Sequence, residues 1–212
     1  MVTRQLRSGI PAILIVLILM FTPFTVSASQ ITDDLKNTID EIIGIVTDES
    51  LKNDKRARRG KIRRTIAKRF NYRQMVMRSL AKSWNDRTPQ EREEFIQLFK
   101  KLLENSYARK IESYRDEKIN YLNEIIKGNY AQVETEIVRK DGNIAVDYRL
   151  IKDNGDWKVY DFVIEGVSMI RNYRSQFSRI IQKDSYNELV KKLSAKIDEL
   201  ELDDGNGASE NL

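Results

Sequence analysis

Two carboxylates near the end of an apolar segment are the best candidates for chemistry in this sequence. Asp161 and Glu165 lie four residues apart, just before Gly166. Such a pair would suit general acid–base catalysis, in which one group takes a proton and the other gives one. The alternative is structural, because carboxylates at a strand end often accept hydrogen bonds from backbone N–H groups. Their counter-charges would come from the arginines of the next segment, Arg171, Arg174 and Arg179.

The side chains on which most enzymes and metal sites depend are missing. The sequence contains no histidine and no cysteine, which removes the commonest general base, the commonest metal ligand and the thiol nucleophile. The usual zinc sites and disulfides cannot be built either. We therefore expect a protein that is not an enzyme and that needs no cofactor and no metal.

The first 28 residues are typical of a signal peptide. Arg4 and Arg7 precede an apolar run over residues 10–21, and the small residues up to Ala28 fit a cleavage site. The run is shorter than the about 20 apolar residues of a membrane span, and an uncleaved anchor is the alternative. We expect an exported protein that is cleaved after Ala28.

The mature chain is long enough for one domain with its own core, which we place at residues 29–200. Residues 201–212 are acidic and polar and are predicted to be a disordered tail. Loss of the two leader arginines lowers the formal charge from +5 to +3. A charge this small argues against a protein whose main partner is nucleic acid.

Two kinds of periodicity divide the mature chain. Apolar residues recur at helical spacing from Leu35 to Val46, and a capping box at Thr88–Glu91 begins a helix over 88–113. The period then changes to two, which predicts strands at 118–126, 130–140, 143–152 and 156–165. Short turns with glycine separate these strands and favour an antiparallel meander. With further helices after Gly166 and Ser185, the sequence predicts an α+β fold: a four-stranded antiparallel sheet with helices packed on one face.

The segment Trp157–Phe177 carries three motifs in a row: W-K-V-Y-D, E-G-V-S and N-Y-R-S-Q-F. This order resembles the MlaC family of periplasmic phospholipid carriers, also called toluene-tolerance auxiliary proteins. Weaker similarities extend over Phe70–Leu193 and include the helix start at Thr88–Arg92, in which two positions are exchanged. The triplet Phe70-Asn71-Tyr72 departs from the family's F-D-F-like pattern at Asn71, which puts a local cap or a surface contact in doubt.

The resemblance implies that helices and sheet enclose an apolar pocket for the acyl chains of a phospholipid. The apolar pattern alone favours an ordinary closed core, and the resemblance is what points to a pocket. We predict that the pocket is built from the apolar faces that meet at the corner after Gly166. The predicted lipid-binding residues are Phe95, Phe99, Leu102, Tyr107, Val146, Tyr148, Val159, Val163, Val167, Ile170 and Phe177.

Lysine and arginine crowd the segment Lys52–Arg73. A solvated helix face is one explanation. The others are docking to an acidic partner, or attraction to anionic headgroups at about 1 kcal/mol per basic residue near a charged surface. We predict partner docking, outside the pocket, at Arg58, Arg59, Arg63 and Arg64.

The resemblance also implies a place and a role. It predicts a monomeric periplasmic carrier that shuttles phospholipid between an outer-membrane lipoprotein complex and an inner-membrane ABC transporter with an MCE-type subunit. Such a carrier would maintain the lipid asymmetry of the outer membrane. The alternative is a small exported α+β enzyme of the hydrolase type, or a binder of a smaller ligand.

Overall fold

A five-stranded antiparallel sheet forms the frame of the protein. The computed structural model describes residues 29–114 and 116–206. The strands lie side by side in chain order, which confirms the predicted α+β fold with one strand more than expected. They are β1 (Lys118–Lys127), β2 (Tyr130–Val138), β3 (Ile144–Asp153), β4 (Asp156–Ile164) and the two-residue β5 (Val167–Ser168).

Tight turns fix the register of this sheet. Asn154 and Gly155 have φ values of 50° and 92°, the left-handed conformation that a two-residue hairpin turn requires at both positions. The turn places Asp153 opposite Asp156 and brings β3 alongside β4. Gly166, with φ of 76°, ends β4 and allows Val167 and Ser168 to fold back against it as β5.

Six helices pack around the sheet within the described residues. They are α1 (Gln30–Thr47), α2 (Lys55–Arg69), α3 (Tyr72–Leu80), α4 (Pro89–Glu112), α5 (Met169–Lys183) and α6 (Tyr186–Asn206); short 3₁₀ helices lie at Glu49–Leu51 and Ala81–Trp84. The predicted capping box is present at the start of α4, because Thr88 N–H donates to Glu91 Oε2 over 2.7 Å and Glu91 N–H donates to Thr88 Oγ over 3.2 Å.

The last helix continues past the predicted end of the domain at residue 200. α6 runs to Asn206, because Leu200 packs against the core and Asn105 Nδ2 donates to Glu201 Oε1 over 3.2 Å. The rest of the predicted tail, residues 207–212, lies outside the described residues, as does the predicted signal peptide at residues 1–28.

The two faces of the sheet differ in polarity. Thr135, Val146 and Ile164 stand on one face, and their partners across the strands share it. Side chains of neighbouring residues such as Glu134, Asp147 and Arg149 alternate to the other face. The first face is covered by helices and the second is mostly polar, as a sheet with one wet side requires.

A backbone link ties the helices to the edge of the sheet. Asn71 N–H donates to Val159 O over 2.9 Å, and Phe70 pairs with Val159 as a short parallel bridge. This link fixes the junction of α2 and α3 against β4. Among the described residues, no helix is long and apolar enough to cross a bilayer.

Ala81 provides a test of the backbone geometry between α3 and α4. It is an alanine with φ of 52° and ψ of −121°, a conformation that costs a residue with a Cβ about 1–3 kcal/mol. We expect Ala81→Gly to raise the free energy of unfolding by about 1 kcal/mol, since glycine adopts this conformation freely. Urea unfolding measures the change.

The matched control is Ala195→Gly on the exposed side of α6. There the conformation is an ordinary helix, so the same substitution should lower the free energy of unfolding by about 1 kcal/mol. A loss of stability at both positions would contradict the strain at Ala81.

Candidate functional site

A large cavity lies between the covered face of the sheet and helices α1, α2 and α4. Its volume is about 1160 Å³, slightly above the roughly 300–1,000 Å³ that is typical of small-molecule pockets. The walls are mainly aliphatic and aromatic. The helices contribute Leu35, Ile39, Ile42, Ile43, Val46, Ile62, Ile66, Leu103, Ala108 and Ile111, and the sheet contributes Ile119, Ile137, Ile144, Val146, Tyr148, Phe162 and Ile164.

Polar links at the ends of the elements hold these walls in place. Glu124 of β1 accepts hydrogen bonds from the hydroxyls of Ser29 and Thr32 at the start of α1. Arg69 at the end of α2 donates to Trp157 O over 3.3 Å, and Lys158 Nζ donates to Lys68 O over 2.7 Å. The helices are therefore anchored to the strands near their ends, while the space between them is lined by apolar side chains.

A second anchor joins α2 to the end of α4. Arg59 Nη2 lies 2.7 Å from Glu112 Oε2, and Arg58 Nη2 lies 3.2 Å from Glu112 Oε1. Burial raises the pKa of Glu112, but the hydrogen bonds and charges of Arg59 and Arg58 outweigh it and bring the pKa below its ordinary value. Glu112 is thus held ionised, and it fixes two arginines of α2.

Charged residues line parts of the same cavity, and most of them are basic. Lysine and arginine outnumber the carboxylates seven to three. A cavity with apolar walls and a basic margin would suit a molecule with an apolar body and an anionic group. The basic residues are Lys55, Arg56, Arg59, Arg63, Arg69, Lys110 and Arg139; the carboxylates are Glu104, Glu117 and Glu201.

Tyrosine rings lie on the sheet side and the α4 side of the cavity. Tyr107 of α4 packs edge-on against Phe162 of β4, with ring centroids 5.3 Å apart. Burial raises the pKa of Tyr148 to about 12, and it also raises the pKa of Tyr107. Both phenols are therefore neutral at ordinary pH and add little charge to the apolar walls.

The structure brings three of the predicted lipid-binding residues to the cavity wall, namely Tyr107, Val146 and Tyr148. Five others, Phe95, Phe99, Leu102, Ile170 and Phe177, are packed inside the main core instead. The aromatic members form a cluster between α4 and α5. Phe177 lies 5.7 Å from Phe95 and 5.8 Å from Phe99, in edge-to-face contacts.

The remaining predicted wall residues lie on the sheet or beside it. Val159 is completely buried in the core. Val163 is buried, but it pairs with Asp147 on the sheet face opposite the cavity. Val167 belongs to β5 and is 55% exposed. The corner after Gly166 is therefore closed by packing of α5, and the cavity lies beside the C-terminal half of α4.

The four predicted docking arginines are divided by the structure. Arg58 and Arg59 pair with Glu112, while Arg59 and Arg63 lie on the cavity wall. Arg64 points to solvent. The basic segment therefore contributes to the cavity as well as to the surface, although the sequence analysis placed it outside the pocket.

Helix α1 supplies walls that the sequence analysis did not assign to the site. Leu35, Ile39, Ile42 and Val46 have the helical spacing of a covered face, and this was the available signal. The same holds for Ile62 and Ile66 of α2, which form the narrow apolar stripe of a strongly basic helix. Spacing alone does not reveal whether such a stripe faces a core or a cavity.

The two carboxylates considered for catalysis are engaged in structural hydrogen bonds. Asp161 is buried and accepts from Ser168 Oγ over 2.7 Å and from Ile170 N–H over 3.1 Å, and it pairs with Arg149 over 3.1 Å. Glu165 accepts from Ala145 N–H across the end of β3. These bonds hold the break between β4 and α5, as the structural alternative expected. In the part of the chain that the structure describes, no cluster of carboxylates could hold a metal ion.

The fold and the cavity together assign this protein to a class, the α+β domains that can enclose an apolar ligand between helices and sheet. Residues 36–195 match the sequence model of the family described as MlaC protein, and the chain belongs to the MlaC family. No curated protein matches the chain.

One similar solved structure is that of the phospholipid-binding protein from Ralstonia solanacearum in complex with a phospholipid. Its TM-score is 0.74 at 22% sequence identity, and the alignment covers 81% of this chain and 99% of that chain. At this identity the similarity shows a shared fold.

Glu104 on the cavity wall should make stability depend on pH. Burial raises the pKa of Glu104 above its ordinary value of 4.5, despite the nearby charges of Lys100 and Arg63 and the Tyr72 hydroxyl. As pH rises through 4.5, the unfolded chain loses this proton first, so the free energy of unfolding falls until the folded protein ionises too. We expect Glu104→Gln to remove that fall.

The measurement is chemical unfolding of both proteins between pH 4 and pH 8. The variant should be the more stable protein at neutral pH, and the difference should shrink towards the acidic end because Glu104 is then protonated in both states. A gain that is equal at both ends of the range would show that ionisation of Glu104 is not its cause.

Proposed function

We propose that this protein binds phospholipid, with the acyl chains in the cavity between the sheet and helices α1, α2 and α4. The observation that carries the proposal is the cavity itself, which combines a volume of about 1160 Å³ with mainly apolar walls and a basic margin. Membership of the MlaC family and the bound phospholipid of the Ralstonia protein support the same ligand. The headgroup lies towards the basic margin, where water and cations are accessible.

The physical need for such a cavity follows from the cost of exposing acyl chains to water. Each methylene moved from water into an apolar environment is worth about 0.8 kcal/mol. One long chain therefore represents on the order of 10 kcal/mol, and a diacyl lipid roughly twice that. A protein that covers the chains removes most of this cost during passage between two membranes.

We further infer a shuttle function in the periplasm. The N-terminal segment has the features of a signal peptide, and the family resemblance suggests the two ends of the route. The proposed partners are an outer-membrane lipoprotein complex and an MCE-type subunit of an inner-membrane ABC transporter, and the protein acts as a monomer. The transfer would maintain the lipid asymmetry of the outer membrane.

We propose a carrier that leaves the lipid chemically unchanged. Asp161 and Glu165, the best candidates for catalysis, support this proposal because both already accept structural hydrogen bonds. Neither residue lies on the wall of the large cavity. Bound lipid and candidate acid–base residues are therefore separated in the proposed complex.

Filling the cavity should remove the lipid. Ala108 on α4 and Val146 on β3 both line it, and Ala108→Phe or Val146→Trp would place an aromatic ring in the space for the chains. We expect at least a tenfold loss of phospholipid that is extracted with organic solvent from the purified protein and quantified by mass spectrometry. The unsubstituted protein should release intact diacyl lipid, without lyso-lipid or free fatty acid.

The control is Ala195→Phe, which adds the same ring on the exposed side of α6. It should leave the lipid content unchanged. If folded Ala108→Phe and Val146→Trp proteins carry as much lipid as the parent, the ligand is bound elsewhere. Hydrolysed lipid from the parent would instead favour the enzyme alternative.

Docking to the inner-membrane partner should depend on the outward side of α2. Lys61 and Arg64 are exposed there, whereas Arg58 and Arg59 stabilise the contact with Glu112. We expect Lys61→Glu with Arg64→Glu to weaken binding to the MCE-type subunit about tenfold at low salt. The loss should shrink as salt rises, since exposed charges are screened over about 8–10 Å at ordinary ionic strength.

A matched pair of reversals, Lys101→Glu with Lys191→Glu, changes the net charge equally at exposed positions of α4 and α6. Binding measured by surface plasmon resonance should remain within twofold of the parent for this pair. Equal losses for both pairs would indicate a general effect of net charge, and the surface of α2 would then have no special role.

A further inference from the structure

A second, smaller cleft lies outside the lipid cavity. It has a volume of about 530 Å³ and is bordered by the end of α3, the following 3₁₀ helix, strands β3 and β4 and the start of α5. Among the described residues, none lines both this cleft and the large cavity. Arg149 and Asp161 lie on the polar face of the sheet, whereas their neighbours Tyr148 and Phe162 face the large cavity.

The cleft carries a strong excess of positive charge. In the part of the chain that the structure describes, five basic side chains line it, against the single carboxylate of Asp161. Both carboxylate oxygens of Asp161 already have partners, because they accept from Ser168 Oγ and Ile170 N–H and pair with Arg149. Within residues 29–114 and 116–206, the other four cations have no carboxylate within salt-bridge distance: Arg78, Lys82, Arg171 and Arg174.

Two of the guanidinium groups are held in fixed positions. The Arg78 guanidinium carbon lies 4.2 Å from the centre of the Tyr160 ring and 5.7 Å from that of Tyr130. Its Nε is buried and has no hydrogen-bond partner among the described residues. Arg149 is fixed by its pair with Asp161. Guanidinium groups that are already oriented lose little entropy when they bind an anion.

The backbone at the rim of the cleft is strained. Ala81 lines the cleft between Arg78 and Lys82, and its φ is positive, at 52°. Strain of this kind persists where the surrounding structure imposes it, and it is concentrated at binding sites. The N–H groups of Ile170 and Arg171 in the first turn of α5 are already bonded to Asp161 and Ser168, so we expect side chains to hold an anion here.

We propose that this cleft binds a phosphate group. Arginine matches the geometry of phosphate with parallel N–H donors, and four cations without a carboxylate partner suit a ligand that carries up to two negative charges. The group could belong to a small soluble phosphate or to the headgroup of a membrane lipid. The proposal does not depend on the lipid cavity, because the two sites share no lining residue.

Calorimetric titration of the full chain with inorganic phosphate and with glycerol phosphate tests the soluble source. Co-sedimentation with vesicles of phosphatidic acid, compared with phosphatidylcholine alone, tests the headgroup source. The test variants are Arg171→Gln and Arg174→Gln, which are exposed and leave the packing intact, and Arg78→Gln. The matched control is Arg179→Gln, an exposed arginine of the same helix that does not line the cleft.

We expect Arg78→Gln and the double variant Arg171→Gln, Arg174→Gln each to weaken binding at least tenfold, and Arg179→Gln to change it less than twofold. Loss with the soluble phosphates assigns a soluble ligand, and loss with vesicles alone assigns a headgroup; both outcomes support the site. Absence of binding to both the soluble phosphates and the phosphatidic acid vesicles, or equal losses in the control, overturns it. Lipid extracted from the large cavity should be unchanged in every variant, which separates this test from that of the proposed function.

Discussion

Edge-to-face packing of Phe177 against Phe95 and Phe99 is the central contact of the fold. The Phe177 ring lies less than 6 Å from the ring centroids of both Phe95 and Phe99, and these two contacts lock the first half of α4 against α5. Helix α6 closes the same region, where Leu189 is completely buried. Because α4, α5 and α6 pack closely in this region, the helices over the rest of the sheet can lie farther from it. The large cavity is the space that results.

An open apolar space needs support, since apolar walls otherwise collapse towards each other. Here the support is polar and lies at the ends of the elements. Glu124 holds the start of α1, Glu112 holds α2 to α4, and the Asn71 N–H group ties the α2–α3 junction to β4. Hydrogen bonds of this kind fix distances more narrowly than apolar contacts do. These links explain how α2, a strongly basic helix, can cover the apolar cavity.

Positive charge is found on both sides of the sheet, with different neighbours. On the covered side, arginines and lysines that come mainly from α2 border an apolar volume of about 1160 Å³. On the polar side, the arginines at the start of α5 border a cleft of about 530 Å³ with Asp161 at its base. The first setting fits a ligand with long apolar chains, and the second fits a small anion. Asp161 thus serves as a structural anchor beside a basic cleft, a role that differs from acid–base chemistry.

The helices, the strands and the fold class could be predicted from the sequence. Period-two patterns and short glycine turns placed four strands close to their observed ends, and the capping box placed the start of α4, because these signals depend on residues that are near each other in the chain. Which apolar faces close on each other could not be predicted in this way, because it depends on how the helices are arranged in the folded protein. Phe95 and Ile39 each belong to an apolar stripe with helical spacing, yet Phe95 is packed in the aromatic core and Ile39 faces the cavity. Burial depends on which helix arrives opposite each face, and that is set by long-range packing that no local pattern contains.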